Sequence, residues 1–236
     1  LSFRSRMLDT PEGAVHILDV PGLSDGPRVL LFHGLGSCAL DFARTMLRLR
    51  RISSHITAID LPGHGRSKDL DGGIENWCNE IIKLIPEKSI LLGWSLGGLL
   101  SIYIANKIKL REIILVAASP CLVNNDNWSF GIKGEVFNQF SDNLKIDSTK
   151  ALKRFVSLQT KNKSQIKELH KSIQQYPASQ SALNNGLDII VNSDLRQLYR
   201  DITTPKKCIL GNLDTLVPAK IQYRFDRQKK FQHFQY

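Results

Sequence analysis

The first half of the chain alternates short apolar runs with longer amphipathic stretches. Residues 15–20 alternate apolar and polar positions as an edge strand does, whereas residues 28–32, 56–60, 89–93, 112–117 and 207–211 are nearly continuous apolar runs. Such runs suit strands covered on both faces, as in a parallel sheet. Between them, residues 41–51, 74–85 and 96–108 repeat apolar side chains at helical spacing. Strand and helix therefore alternate, which predicts an α/β fold, a mostly parallel sheet with helices on both faces. Loops at the carboxyl ends of such strands are where function gathers. From residue 119 to 194 the pattern changes to polar, lysine-rich, helix-forming segments with no buried strand. Residues 1–119 and 195–236 are thus expected to form the core and residues 120–194 an inserted helical lid.

Three of the strand-end loops carry chemistry. The run 89–93 leads into Gly93-Trp94-Ser95-Leu96-Gly97 and then a small-residue helical stretch, the form of a nucleophile elbow in which a serine is lifted on a sharp strand-to-helix turn. Ser95 is the candidate nucleophile; the competing reading is a glycine-rich turn that serves packing alone. The run 28–32 is followed by His33-Gly34-Leu35-Gly36, and the backbone N–H groups of Leu35 and Leu96 are expected to form an oxyanion hole. His33 and the loop residues Asp60 and His64 read as scaffold. The third loop, Gly211-Asn212-Leu213-Asp214-Thr215-Leu216-Val217-Pro218, presents Asp214 after Ser95 in chain order, as a Ser-Asp-His hydrolase requires. Its competing reading is an Asx turn that only closes the loop. His233 is the sole histidine after Asp214. It lies in an alternating run that reads as the start of a strand, so it is the weakest member of the candidate catalytic set.

Composition narrows the class. With 236 residues and 42% hydrophobic content the chain suits one core with an insertion. Its four cysteines, Cys38, Cys78, Cys121 and Cys208, have no CxxC spacing, which speaks against a disulfide framework or a zinc site. The apolar runs are far too short for a membrane span, and a cytoplasmic monomer is expected. The net charge of +10 is not accompanied by a basic motif interleaved with aromatics, so nucleic acid is not the expected partner. Residues 1–51 hold seven arginines and no lysine, a composition unlike the remainder. Residues 148–171 hold seven basic side chains against the single acid Glu168. Within them Lys150 with Arg154, and Lys167 with Lys171, are i,i+4 pairs on one helix face, either a solvated face or a docking surface for an acidic protein.

The motifs LLGWSLGGL at 91–99, VAASPC at 116–121, RFVSLQT at 154–160, LNNGL at 183–187 and DLRQ at 194–197 give a resemblance. The chain resembles the α/β-hydrolase superfamily and, within it, the pimeloyl-[acyl-carrier-protein] methyl ester esterase family of biotin synthesis. The resemblance implies a serine carboxylesterase with Ser95 as nucleophile, Asp214 as triad acid, and Leu35 and Leu96 at the substrate carbonyl. It also implies Phe155, Val156, Ser157, Leu158 and Gln159 along the acyl channel and no cofactor or metal. Lys150, Arg154, Lys167 and Lys171 match basic positions on the family's lid, which implies acyl carrier protein as the partner delivering a pimeloyl methyl ester. Two departures stand out: Leu35 occupies a position where the family has tryptophan, and the family's histidine loop, with its Ala-Pro-Phe, is not evident before Tyr236. The alternatives are a general short-chain carboxylesterase and a catalytically impaired fold that only binds the carrier.

Overall fold

The computed structural model describes residues 3–160, 162–212, 214 and 216–221. Seven strands, β1 (Arg4–Thr10), β2 (Gly13–Pro21), β3 (Arg28–Phe32), β4 (His55–Ile59), β5 (Ile90–Trp94), β6 (Glu112–Val116) and β7 (Lys206–Ile209), form one sheet in the order β1-β2-β4-β3-β5-β6-β7. β1 and β2 pair antiparallel, as do β2 and β4; every pairing from β4 through β3, β5 and β6 to β7 is parallel. The fold is the α/β-hydrolase fold, a mostly parallel sheet with helices on both faces. Residues 15–20 are not at the edge, because β1 covers β2 on the outside. β1 escaped notice because its sequence RSRMLDT is mostly polar and solvent-facing, the composition by which edge strands avoid pairing with other chains.

Alternation along the strands divides the core between two layers. Leu30 and Phe32 of β3 point to one side, where they pack with α2 (Ile74–Ile82) and α3 (Leu96–Lys107). Val29 and Leu31 point to the other, against Met46 of α1 (Ala43–Leu49) and Phe42 before it. A side-chain period of two accounts for the split. α3 is buried on nearly every side, so its apolar residues occupy its whole circumference. The lysine-free N-terminal segment is integral to this arrangement, since β3 lies between β4 and β5.

Between β6 and β7 the chain forms α4 (Gly134–Ile146), α5 (Ser148–Gln159), α6 (Lys163–Gln175), α7 (Gln180–Asn192) and α8 (Arg196–Asp201). Asp147, Asn162 and Ser179 accept from backbone N–H groups at the starts of α5, α6 and α7, satisfying donors that lack intrahelical partners. All four cysteines are free and buried. No described helix is long and apolar enough to cross a membrane.

Candidate active site

Parallel strands present their carboxyl ends along one edge of the sheet, and the loops after β3, β5, β6 and β7 meet there around a cleft of about 980 Å³. Ser95 stands at the turn from β5 into α3 with φ 53° and ψ −116°, a backbone conformation that side chains rarely adopt. Its N–H is fixed by the Val116 carbonyl at 3.0 Å. The flanking glycines are required by space: a Cβ on Gly93 would lie 2.3 Å from the Gly97 carbonyl oxygen, and one on Gly97 would lie 2.2 Å from that of Phe32. β5 and α3 can therefore approach closely enough to force Ser95 into the open, half-buried and lining the cleft.

The loop after β3 passes directly over the serine, so that a Cβ on Gly34 would lie 3.4 Å from that of Ser95. His33 holds this loop. Its Nδ1–H donates to the Gly34 carbonyl at 2.8 Å while its Nε2 accepts from the Leu61 N–H at 3.0 Å. Because a peptide's C=O and N–H point in opposite directions, this bond turns the Leu35 N–H away from His33. Neither the Leu35 nor the Leu96 N–H donates to another group among the described residues. Burial holds the His33 pKa below its ordinary value, against the raising influence of Asp60. Both ring nitrogens serve the backbone, which is the scaffold role read from the sequence.

His64 is also structural. Its Nδ1–H donates to the Pro62 carbonyl at 2.9 Å, its ring lies edge-on to Trp77, and burial followed by repulsion from His33 lowers its pKa to about 3. The remaining described histidines are likewise engaged. His16 bonds Asp60 and Ser5. His55 opens β4, at the opposite end of the sheet, beside Asp19. His170 bonds the Lys153 carbonyl at 2.9 Å. The sixth histidine, His233, lies outside the described residues.

Asp214 lines the same cleft as Ser95. Its Oδ1 accepts from the Leu216 and Val217 N–H groups at 2.8 and 2.9 Å. One carboxylate oxygen thus closes the loop, the Asx-type contact anticipated as its structural use. Phe155, Val156, Leu158 and Gln159 of α5 also line the cleft, with Phe155 stacked on Phe140 at 4.8 Å between ring centres. Ser157 does not join them: its hydroxyl donates to the Lys153 carbonyl at 2.8 Å. Leu35 contributes its side chain to the wall, while that of Leu96 is wholly buried behind it. Lys150 and Arg154 on α5, and Lys167 and Lys171 on α6, are all exposed. Glu168 is paired with Arg44 of α1 at 2.6 Å, so the one acid of the 148–171 stretch is neutralised. Sequence reading missed this partner because nothing local connects residues 124 positions apart.

An elbow serine, two backbone N–H groups without partners among the described residues and an aspartate on the last described loop are the parts of a serine hydrolase of the α/β class. Consistent with this, residues 29–233 match the alpha/beta hydrolase family, and the chain belongs to it. Among proteins of known name it is similar to the pimeloyl-[acyl-carrier protein] methyl ester esterase of Pectobacterium atrosepticum, 37% identical over 84% of this chain and 80% of the relative. It is also similar to the one of Shewanella oneidensis, 30% identical over 91% and 84% respectively. Among solved structures, an esterase from Exiguobacterium antarcticum superposes with a TM-score of 0.82 at 18% identity, covering 94% of this chain and 87% of that one. The enol-lactonase from Burkholderia xenovorans does so with a TM-score of 0.82 at 15% identity, covering 97% and 91%. These two bear on the fold alone.

Proposed function

We propose that this chain is a serine carboxylesterase that removes methanol from a pimeloyl methyl ester carried on acyl carrier protein. The observation that carries the reading is Ser95 in a strained elbow, opening on a cleft roofed by basic helices, in a chain with relatives of that name at up to 37% identity. In this reading Ser95 Oγ attacks the ester carbonyl and its proton passes to a histidine. The Leu35 and Leu96 N–H groups hold the oxyanion, and methoxide leaves as methanol with that proton. Water then repeats the sequence on the acyl-enzyme and frees the carboxylate. Asp214 orients the base. Five of the six histidines of this sequence are engaged elsewhere, so His233, which lies outside the described residues, is the candidate among them for the base. No metal or cofactor enters the reaction. Phe155, Val156, Leu158 and Gln159 receive the acyl chain. Lys150, Arg154, Lys167 and Lys171 dock the acidic carrier, and their charge acts chiefly on encounter rate and orientation. The enzyme works as a cytoplasmic monomer, with residues 120–194 as its lid.

The test compares carrier-bound pimeloyl methyl ester with a small soluble ester. Reversing the four basic charges should lower kcat/KM for the carrier-bound ester at least about tenfold at low salt and leave the small ester unchanged. Equal rates on both substrates in the parent chain would favour a general short-chain esterase. His233→Ala should cost about 10⁴-fold on the carrier-bound ester; full activity in that variant would place the base elsewhere.

A further inference from the structure

A second group of side chains, outside the cleft, has the connectivity of a catalytic triad. Ser5 of β1 and His16 of β2 are diagonal neighbours on one face of the antiparallel pair, and Ser5 Oγ lies 2.7 Å from His16 Nε2. Asp60 follows the last residue of β4 opposite His16, where its own N–H donates to the His16 carbonyl at 3.0 Å. Its Oδ2 lies 2.6 Å from His16 Nδ1. The carboxylate accepts two further N–H donors, from Ala39 at 2.6 Å and Arg66 at 3.0 Å.

Burial opposes the charge on Asp60, but these bonds, led by that from His16, hold its pKa below the ordinary carboxylate value. An ionised Asp60 fixes His16 with its proton on Nδ1, so Nε2 offers a lone pair to the Ser5 hydroxyl. His16 and Asp60 are 6% and 2% exposed, whereas Ser5 faces solvent. Arg66 completes the group: Nη1–H donates to Ser5 Oγ at 2.9 Å, while Nη2–H donates to the Tyr176 hydroxyl at 2.9 Å and the guanidinium lies over that ring. A tethered cation thus sits beside the hydroxyl, within reach of the carbonyl oxygen that gains negative charge when an ester is attacked there.

We propose that Ser5 is a second nucleophilic serine, activated by His16 and Asp60 and assisted by Arg66, that accepts the acyl group of small activated esters. Ser5 Oγ bonds to the acyl carbon as its proton moves to His16 Nε2. The oxyanion formed beside Arg66 collapses, the bond to the leaving alkoxide or phenoxide breaks, and that group departs with the proton from His16. Water, deprotonated by the same imidazole, releases the acid and restores Ser5. Ser5 stands on an open strand and does not line the cleft that would hold a long acyl chain, so small donors with their own good leaving group are the class it takes.

The test uses the full chain carrying Ser95→Ala, treated with a fluorophosphonate and separately with p-nitrophenyl acetate, with adducts located by peptide mass spectrometry. Ser5 is expected to label at least about 100-fold faster than the exposed Ser164 and Ser181, the order of gain that an oriented base gives. Arg66→Gln, a change at an exposed side chain, should slow labelling about tenfold. His16→Asn should bring Ser5 down to the rate of the other serines, with folding checked by circular dichroism. In the Ser95→Ala chain, Ser5→Ala should remove the fast-labelling site and leave only the slow background of the other serines. Labelling of Ser5 no faster than of Ser164 and Ser181, or undiminished in folded His16→Asn protein, overturns the proposal.

Discussion

The strand-end loops beneath the cleft and the helices above it are held in place by different means. Below, anchoring is short-range and buried: Asp60 ties β2, the segment before α1 and its own loop together, and His33 joins the loops after β3 and β4 through two backbone contacts. Above, the helices α4 to α8 reach the core partly through exposed polar contacts, with Arg44 to Glu168, Arg66 to Tyr176 and Ser179 to Asp69 among them. Interactions of the first kind are expensive to break because a buried polar group is left without a partner. Those of the second kind exchange readily with water. The difference places rigidity at the proposed oxyanion hole and adjustability at the roof, where the proposed function would have a carrier-bound acyl chain admitted.

The sharpest test of the lower region is Ser95→Ala, expected to reduce turnover of the carrier-bound ester by about 10⁴-fold or more while the melting temperature stays unchanged. Residual activity within tenfold would remove Ser95 as nucleophile. A glycine pair separates the two regions by stability. Gly97→Ala places a methyl 2.2 Å from the Phe32 carbonyl oxygen, whereas one on Gly134, at the start of α4, meets nothing within 4 Å. Denaturant titration should find Gly97→Ala destabilised by more than about 3 kcal/mol, or insoluble, and Gly134→Ala neutral to about 0.5 kcal/mol more stable.

The same contrast explains what could be read from the sequence. Buried parallel strands have to be continuously apolar, so β3 to β7 were found within two residues at their ends, and the elbow announced itself because only glycine fits beside Ser95. β1 was missed because an exposed edge carries no apolar signal. The helical character of the insertion was legible from composition for residues 134–194 but not for 119–133, which hold isolated bridges instead of a helix, and the cross-chain partners of the helices were not legible. The pairing of Arg44 with Glu168 depends on tertiary placement that no local pattern encodes, whereas the bond from Ser157 to the Lys153 carbonyl, four residues back in α5, is a local one. Asp214 was found from loop position, but the engagement of its Oδ1 by Leu216 and Val217 required coordinates.

His33 offers a graded test of the buried loops. His33→Ala frees the Gly34 peptide, and loss of one preorganised oxyanion donor costs about 3 kcal/mol of transition-state stabilisation. Steady-state kinetics should therefore show kcat lowered about 100-fold with KM little changed. His33→Asn, which can retain the donor to the Gly34 carbonyl, should lose less. An equal loss in both variants would assign the effect to packing. His33 and His64 also predict a pH effect on stability. Both have folded-state pKa values depressed below the unfolded value near 6.5, His64 to about 3. The unfolded chain therefore binds more protons as pH falls below about 6.5, and the stability present above that value is lost progressively toward pH 3. Urea titrations should show a decline approaching about 1.4 kcal/mol per pH unit from His64 alone between pH 6 and pH 4. His64→Gln should flatten the decline, and an unchanged slope would show that His64 does not carry it.

The smallest effect is expected at the ion pair between the two regions. Arg44 and Glu168 are 69% and 53% exposed, and ion pairs so open to water contribute about 0 to 1 kcal/mol. Glu168→Gln should accordingly move the melting temperature by less than about 2 °C and leave turnover of a small ester alone. It also removes the only acid among residues 148–171. At low ionic strength kcat/KM for the carrier-bound ester should therefore rise modestly, and the gain should vanish at physiological salt, where the screening length is about 8 Å. A melting temperature lowered by many degrees would mean that this pair clamps the roof onto the core. The helices would then be as firmly anchored as the loops beneath them, and adjustability would have to be sought elsewhere than between α1 and α6.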